Sequence, residues 1–153
     1  MIQKKKEYEA AIKKVQKAIK TDSNEPIFIW NLHKIYQEMG EPERFRMEYK
    51  DLLKKDPNKL AWAYGKTLVR VIRQKAFRSY SKGDLDNAIL GFEDMLNIYQ
   101  EIGDIKGQVP ALFSLGLLQK EKGNAQKAQD YFSRVLAINP NHIQARDMIK
   151  NVH

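Results

Sequence analysis

The chain has 153 residues, 42% hydrophobic and 30% charged, which is enough to fold around a core of its own. No run approaches the roughly 18 apolar residues that a membrane-spanning helix needs, and no apolar signal core follows the first lysines, so we expect a cytoplasmic protein with no membrane partner. The sequence contains no cysteine, which excludes disulfides and thiolate zinc sites, and its net charge of +8 favours anionic partners.

Apolar residues recur at helical spacing along the whole sequence, and no alternating strand pattern of useful length occurs. The sequence therefore predicts an all-α fold. The predicted helices cover residues 4–21, 26–39, 42–55, 59–82, 85–102, 107–122, 125–138 and 141–152. Glycine, proline and capping residues separate them, at Asp22-Ser23-Asn24, Gly40-Glu41-Pro42, Asp56-Pro57-Asn58, Gly83-Asp84, Gly103-Asp104, Gly123-Asn124 and Asn139-Pro140-Asn141.

Two residues complicate these helices. Gly65 lies inside the long 59–82 segment, so that helix is expected to bend there or to begin with a separate short turn. Pro110 has no backbone N–H and is tolerated only in a first turn, so its helix is expected to begin just before it.

One spaced pattern of small, aromatic and proline residues recurs along the chain. Ala128, Phe132 and Pro140 follow Gly123 at offsets of five, nine and seventeen residues. The same offsets give Gly83, Ala88 and Phe92, and then Gly40, Phe45, Tyr49 and Pro57. A helical unit that repeats in this way is stable by stacking, because a single helix pair cannot bury its own apolar face.

This pattern resembles the tetratricopeptide repeat, a helix-turn-helix unit of 34 residues. The resemblance implies a right-handed α-solenoid of about three units in a single domain, 1–153. Its parts are a half repeat at 4–21, repeats at 26–57, 59–102 and 107–140, and a capping helix at 141–152. The spacings between the three glycines exceed 34 residues, so the additional residues must lengthen helices or loops.

The three repeats match the family pattern to different degrees. The repeat 107–140 matches most fully. The repeat 26–57 has bulky Phe45 where the family has alanine and His33 where it prefers glycine, so its two helices are expected to sit further apart.

The resemblance implies a protein-binding scaffold whose first helices line a concave groove. Counting back from each glycine along one helical face gives the candidate groove residues. They are Trp30, Asn31, Lys34, Arg70, Arg73, Gln74, Phe77, Tyr80, Phe113 and Leu117. An equally favoured interpretation is that Trp30, Phe77 and Phe113 are packing residues between neighbouring repeats.

The segment 58–83 carries seven lysine and arginine residues and no acidic residue. Arginine can bind a carboxylate with two hydrogen bonds, so we expect the groove to take an acidic or carboxylate-ended protein segment, either extended or helical. Two alternatives remain open. The basic segment could bind RNA, or the chain could be a regulatory domain of a larger protein.

Nothing in the sequence favours catalysis, a cofactor or a bound metal. The three histidines are His33, His142 and His153, and none belongs to a pair with metal-ligand spacing. His33 lies on the face toward its paired helix and is expected to be a packed, hydrogen-bonded core residue. We therefore expect a protein that is not an enzyme.

The first predicted helix has an apolar stripe of Ala11, Ile12, Val15, Ala18 and Ile19. In a half repeat the helix that would cover this stripe is missing. We expect the amino end to be either a cut through a longer protein, which we favour, or a surface for self-association.

Overall fold

The computed structural model describes residues 2–22, 25–55 and 59–151. These ranges contain eight α-helices and no strand: α1 (Ile2–Thr21), α2 (Pro26–Glu38), α3 (Glu43–Lys55), α4 (Lys59–Ser81), α5 (Leu85–Glu101), α6 (Ile105–Glu121), α7 (Ala125–Ile138) and α8 (Ile143–Asn151). The all-α prediction is confirmed, and each described helix end lies within two residues of its predicted position. The predicted breaks at Ser23-Asn24 and 56–58, with Val152 and His153, lie outside the described residues.

Four glycines end helices in the left-handed backbone conformation. Gly40, Gly83, Gly103 and Gly123 have φ between 70° and 91°, which residues with a Cβ rarely adopt. At the end of α6, the Gly123 N–H donates to the Lys120 carbonyl at 3.0 Å and the Asn124 N–H donates to the Gln119 carbonyl at 2.8 Å. These paired bonds satisfy carbonyls that the helix leaves free, and so they fix where the helix stops.

The additional residues of the longer repeats lie in the helices. α4 has 23 residues and α5 and α6 have 17 each, whereas α2 and α3 have 13. α4 runs through Gly65 as one continuous element, so the expected separate turn is wrong.

Pro110 lies deeper in its helix than predicted. The Asp104 side chain accepts a hydrogen bond from the Gly107 N–H at 3.0 Å, and this cap starts α6 at Ile105. The expectation that the helix begins just before Pro110 is therefore wrong, because the cap determines the start. The helix tolerates the proline at the cost of the bond that residue 110 would have donated to the Lys106 carbonyl.

The chain divides into two compact units, Met1–Leu68 and Val69–His153, and the division falls inside α4. In the amino-terminal unit, α1 packs against α2. The described core of this unit includes Ile12, Ile19, Ile29, Leu32, Tyr36, Phe45, Tyr49 and Tyr64. In the carboxy-terminal unit, α5, α6, α7 and α8 pack in sequence around a core that includes Phe92, Ile98, Leu112, Leu115, Ala128, Phe132 and Val135.

The apolar stripe of α1 is not open along its length. Ile12 and Ile19 are buried, and Ala11, Val15 and Ala18 are half-buried. The expectation of an uncovered stripe is wrong at the two isoleucines, because α1 packs against α2. An ion pair between Arg44 of α3 and Glu9 of α1, at 2.8 Å, also fixes this helix, and it holds the pKa of Glu9 below its usual range.

Candidate functional site

A close contact between α6 and α7 fixes the position of α6, the helix that carries several residues of the candidate site. Ala128 and Phe132 of α7 are fully buried, and the Phe132 ring lies directly against Gly116 of α6, so that a Cβ on this glycine would overlap the ring. Because Gly116 and Ala128 are small, the two helices can approach each other closely, and this contact fixes the orientation of α6.

The carboxy-terminal unit contains a groove with a volume of ≈220 Å³ between α4 and α6. Phe77 and Tyr80 of α4 line one wall, Ser114, Leu117, Leu118 and Glu121 of α6 line the other, and Phe92 of α5 lies between them. We call this cavity the α4–α6 groove.

Three large side chains of this groove remain open to solvent. Phe77 is 53% exposed, Tyr80 44% and Leu117 39%. Phe77 meets Phe92 edge-on with 5.7 Å between the ring centroids, so its ring is held in place although more than half of it is accessible. A cluster of fixed and accessible apolar side chains is typical of a binding surface.

One end of the α4–α6 groove is polar. The Tyr80 hydroxyl donates to Glu121 Oε2 at 3.1 Å, and this hydrogen bond raises the pKa of Tyr80. The bond ties the end of α6 to α4 across the groove. It also places the Glu121 carboxylate at the end of a mostly apolar surface.

The structure brings together three of the predicted groove residues, Phe77, Tyr80 and Leu117, in this cavity. Sequence reasoning missed Phe92, Leu118 and Glu121. Phe92 is the aromatic of the repeated pattern in its unit and was not among the candidate groove residues. Glu121 follows Leu117 by one helical turn, and this i, i+4 spacing was the signal that could have identified it.

The predicted cationic residues lie on α4 but do not line the cavity. Arg73 is exposed, and its Nη2 donates to the Tyr99 hydroxyl at 2.7 Å. Tyr99 is itself buried, so α5 fixes the guanidinium. Arg70 and Gln74 are exposed on the same helix.

Phe113 lies outside the groove and is half-buried. Its ring centroid is 5.5 Å from that of Phe132 and 5.0 Å from that of His142. These contacts are those of a packing residue that joins α6 to α7 and to the turn before α8.

The predicted residues of the amino-terminal unit lie on α2. Asn31 and Lys34 are exposed, and Trp30 is half-buried and stacks on His33 with 5.7 Å between ring centroids. His33 is 5% exposed and meets Phe45 edge-on at 5.2 Å, and Phe45 stacks on Tyr64 at 4.6 Å. These three rings and the imidazole form what we call the His33 cluster.

The expected burial of His33 is confirmed, but the expected hydrogen bonding is wrong at one ring nitrogen. No described residue forms a hydrogen bond with His33 Nδ1, although this atom is buried. Burial lowers the pKa of His33, because the surrounding rings disfavour the charged imidazolium.

Within residues 2–22, 25–55 and 59–151, no three histidine, aspartate or glutamate side chains converge to hold a metal ion. No described helix combines the length and apolar character that crossing a membrane requires.

Residues 109–142 match the family model of the tetratricopeptide repeat. Among solved structures, the crystal structure of MamA matches with 19% sequence identity and a TM-score of 0.44, over 98% of this chain and 79% of that chain. No curated protein matches the chain. Residues 109–142, which span most of α6 and all of α7, are therefore similar to one tetratricopeptide repeat.

Proposed function

We propose that the carboxy-terminal unit binds a segment of a partner protein in the α4–α6 groove. The tetratricopeptide repeat supports a protein–protein interaction scaffold in general. The observation that supports this particular site is the accessible apolar surface of Phe77, Tyr80 and Leu117 around a cavity of ≈220 Å³. The cavity accommodates a large apolar side chain, and burying one there removes apolar surface of both partners from water.

The charges around the groove favour an acidic segment. The part of α4 in this unit carries Arg70, Arg73, Lys75 and Arg78 and no acidic residue. A segment with its apolar side chain beside Leu117 and its carboxylates toward Arg73 would satisfy both surfaces, whereas Glu121 would repel a carboxylate at the other end. The predicted residues of α2, which are Trp30 and the exposed Asn31 and Lys34, belong to the other unit. We propose that they contact a partner protein independently of the α4–α6 groove.

Capture of partners from the source cell tests this proposal. The full chain should retain a protein whose capture does not change on nuclease treatment. Leu117→Asn should abolish this capture, because it places an amide in the apolar wall. Ile105→Asn is the matched control, since Ile105 is also an exposed apolar residue of α6 but does not line the groove.

Equal capture by wild type and Leu117→Asn would overturn the groove assignment. Capture that disappears with nuclease would instead support RNA binding through the basic segment 58–83. Such binding depends on phosphate contacts and should fall steeply with salt.

The acidic preference is tested separately by titration of the captured partner. Arg73→Glu should weaken binding by about fivefold or more, because it replaces a cation by a repelling anion near the groove. Lys13→Glu, on the exposed face of α1, makes the same charge change in the other unit. Equal affinity for wild type and Arg73→Glu would show that the segment need not be acidic, while the groove assignment would still rest on Leu117.

A further inference from the structure

A second and larger groove lies in the carboxy-terminal unit, between α5 and α7. Its volume is ≈640 Å³, and the turn that follows α6 closes one end. We call it the α5–α7 groove. Among the described residues that line the two grooves, none belongs to both. A ligand in one groove therefore leaves the side chains of the other free.

Each wall of the α5–α7 groove carries charges of one predominant sign. On α5, Asp86, Leu90 and Glu93 are spaced i, i+4 and i+7, which puts them on one helical stripe. On α7, Lys127, Tyr131 and Arg134 have the same spacing. One wall is thus acidic around a leucine, and the other is basic around a tyrosine.

The middle of the groove is apolar and accessible. Leu90 is 62% exposed, an unusual position for a leucine between two acidic residues. The Arg134 guanidinium lies over the Tyr131 ring, 5.6 Å from its centroid. This cation–π contact helps to fix the orientation of the ring. Burial, and then the nearby Glu93 carboxylate, raise the pKa of Tyr131, so its hydroxyl stays protonated as a hydrogen-bond donor.

Some charges of the groove are already paired and others are not. Lys122 forms an ion pair with Asp86 at the closed end, and Gln126 donates to Asp130 at 3.1 Å. Within the described part of the chain, no ion pair or hydrogen bond engages Glu93 or Lys127. Each wall therefore keeps a charge that is available to a partner.

We propose that the α5–α7 groove is a second binding surface, and that it holds an amphipathic helix of a partner protein. The helix places an apolar ridge on Leu90 and Tyr131, basic side chains toward Glu93 and acidic side chains toward Lys127 and Arg134. Since the two grooves share no side chain, the carboxy-terminal unit can hold two partners at once.

A helix fits this surface better than other occupants. α5 and α7 run in the same direction, because α6 reverses the chain between them, and two such helices present a groove into which a third helix packs. A small apolar ligand would meet charged walls, whereas such ligands prefer apolar ones. A second copy of this chain would bring a net charge of +8 against another +8.

The test uses a phage-displayed library of helix-forming peptides of about 16 residues, selected on the full chain. The enriched peptides should combine an apolar ridge with one basic and one acidic flank. Leu90→Asn and Glu93→Lys should each weaken their binding by about tenfold or more. Leu117→Asn, in the α4–α6 groove, should leave their affinity unchanged within about twofold.

Leu90 and Glu93 are both exposed, so the variants should keep the wild-type circular dichroism and melting temperature. Four results would overturn the proposal: no enriched peptide, peptides that Leu90→Asn binds as well as wild type, peptides whose binding only Leu117→Asn removes, or a wild-type dimer that Leu90→Asn dissociates. Peptides that bind only through Leu117 would report on the α4–α6 groove, whereas the other three results do not depend on whether that groove has its own partner.

Discussion

The α2–α3 pair and the α6–α7 pair occupy equivalent positions in two repeats, but the side chains between the helices are large in the first pair and small in the second. In α6–α7, Gly116 and Ala128 leave room for the Phe132 ring between the helices. In α2–α3, His33 and Phe45 stand at the corresponding positions, and Tyr49 replaces the phenylalanine. The α2–α3 backbones are in less extensive contact than those of α6 and α7, in line with the expected wider separation.

Each of these two ways of packing a helix pair has its own disadvantage. Small residues produce a close contact that tolerates no added atom, whereas large rings fill a wider gap with stacked and edge-on contacts. The aromatic solution leaves His33 Nδ1 buried without a described partner. We therefore expect α6–α7 to be sensitive to volume and α2–α3 to be sensitive to protonation.

The largest effect should come from Ala128→Arg. It inserts a long charged side chain at a fully buried position and should destabilise the fold by about 3 kcal/mol or more. Ala137→Arg is the matched control, because Ala137 is exposed on the same helix. Thermal unfolding followed by circular dichroism measures both, and equal melting temperatures would show that the repeat register is wrong.

Gly116→Ala should have the next largest effect. The new methyl group overlaps the buried Phe132 ring, so the variant should lose about 1–2 kcal/mol even though alanine favours a helix over glycine. Urea unfolding measures the loss. Adding Phe132→Leu should make Gly116→Ala less costly than it is in the wild-type background, and strict additivity of the two changes would contradict the contact.

His33→Leu should be neutral or stabilise the protein by about 1 kcal/mol near neutral pH, because it removes a buried nitrogen that lacks a described partner. Both tryptophans, Trp30 and Trp62, lie in the amino-terminal unit, so their fluorescence during urea unfolding reports on that unit. Destabilisation by about 2 kcal/mol or more would show instead that the imidazole makes a stabilising bond.

Acidification should weaken the amino-terminal unit through His33. Burial lowers the folded-state pKa of His33 below its ordinary value of 6.5, so the unfolded chain binds more protons as the pH falls below that value, and stability falls. Glu48 acts in the opposite direction, because burial raises its pKa. The same fluorescence measurement, repeated from about pH 7.5 to 5, should therefore show a steeper loss in wild type than in His33→Leu. Parallel pH profiles would exclude His33 as the cause.

Local signals in the sequence accounted for most of the helical architecture. Gly83, Gly103 and Gly123 marked the helix ends, because only glycine readily takes their left-handed conformation. The start of α6 was predicted too late, because proline is usually found in the first turn of a helix and Pro110 was placed there. In the structure, the cap at Asp104 determines the start instead. The division of the chain into two units inside α4 could not be predicted from the sequence, because the helix continues through the boundary.

The site was only partly predictable for a different reason. Helical periodicity placed Phe77 and Tyr80 on one face of α4 and Leu117 on the corresponding face of α6, and the structure brings the three together. Periodicity could not show that Arg73 donates to Tyr99, which lies 26 residues away on another helix. The α5–α7 groove was not predicted, because the family resemblance implies binding only by the first helix of each repeat.

Hydroxyl-radical footprinting of the chain with its captured partner tests the central claim most directly, because it reads the accessibility of individual side chains. Phe77, Tyr80 and Leu117 are accessible in the free chain, as is Ile105 outside the groove. The account predicts that the partner protects the first three from oxidation and leaves Ile105 unchanged. Unchanged oxidation of Phe77, Tyr80 and Leu117, with protection elsewhere on the chain, would contradict it.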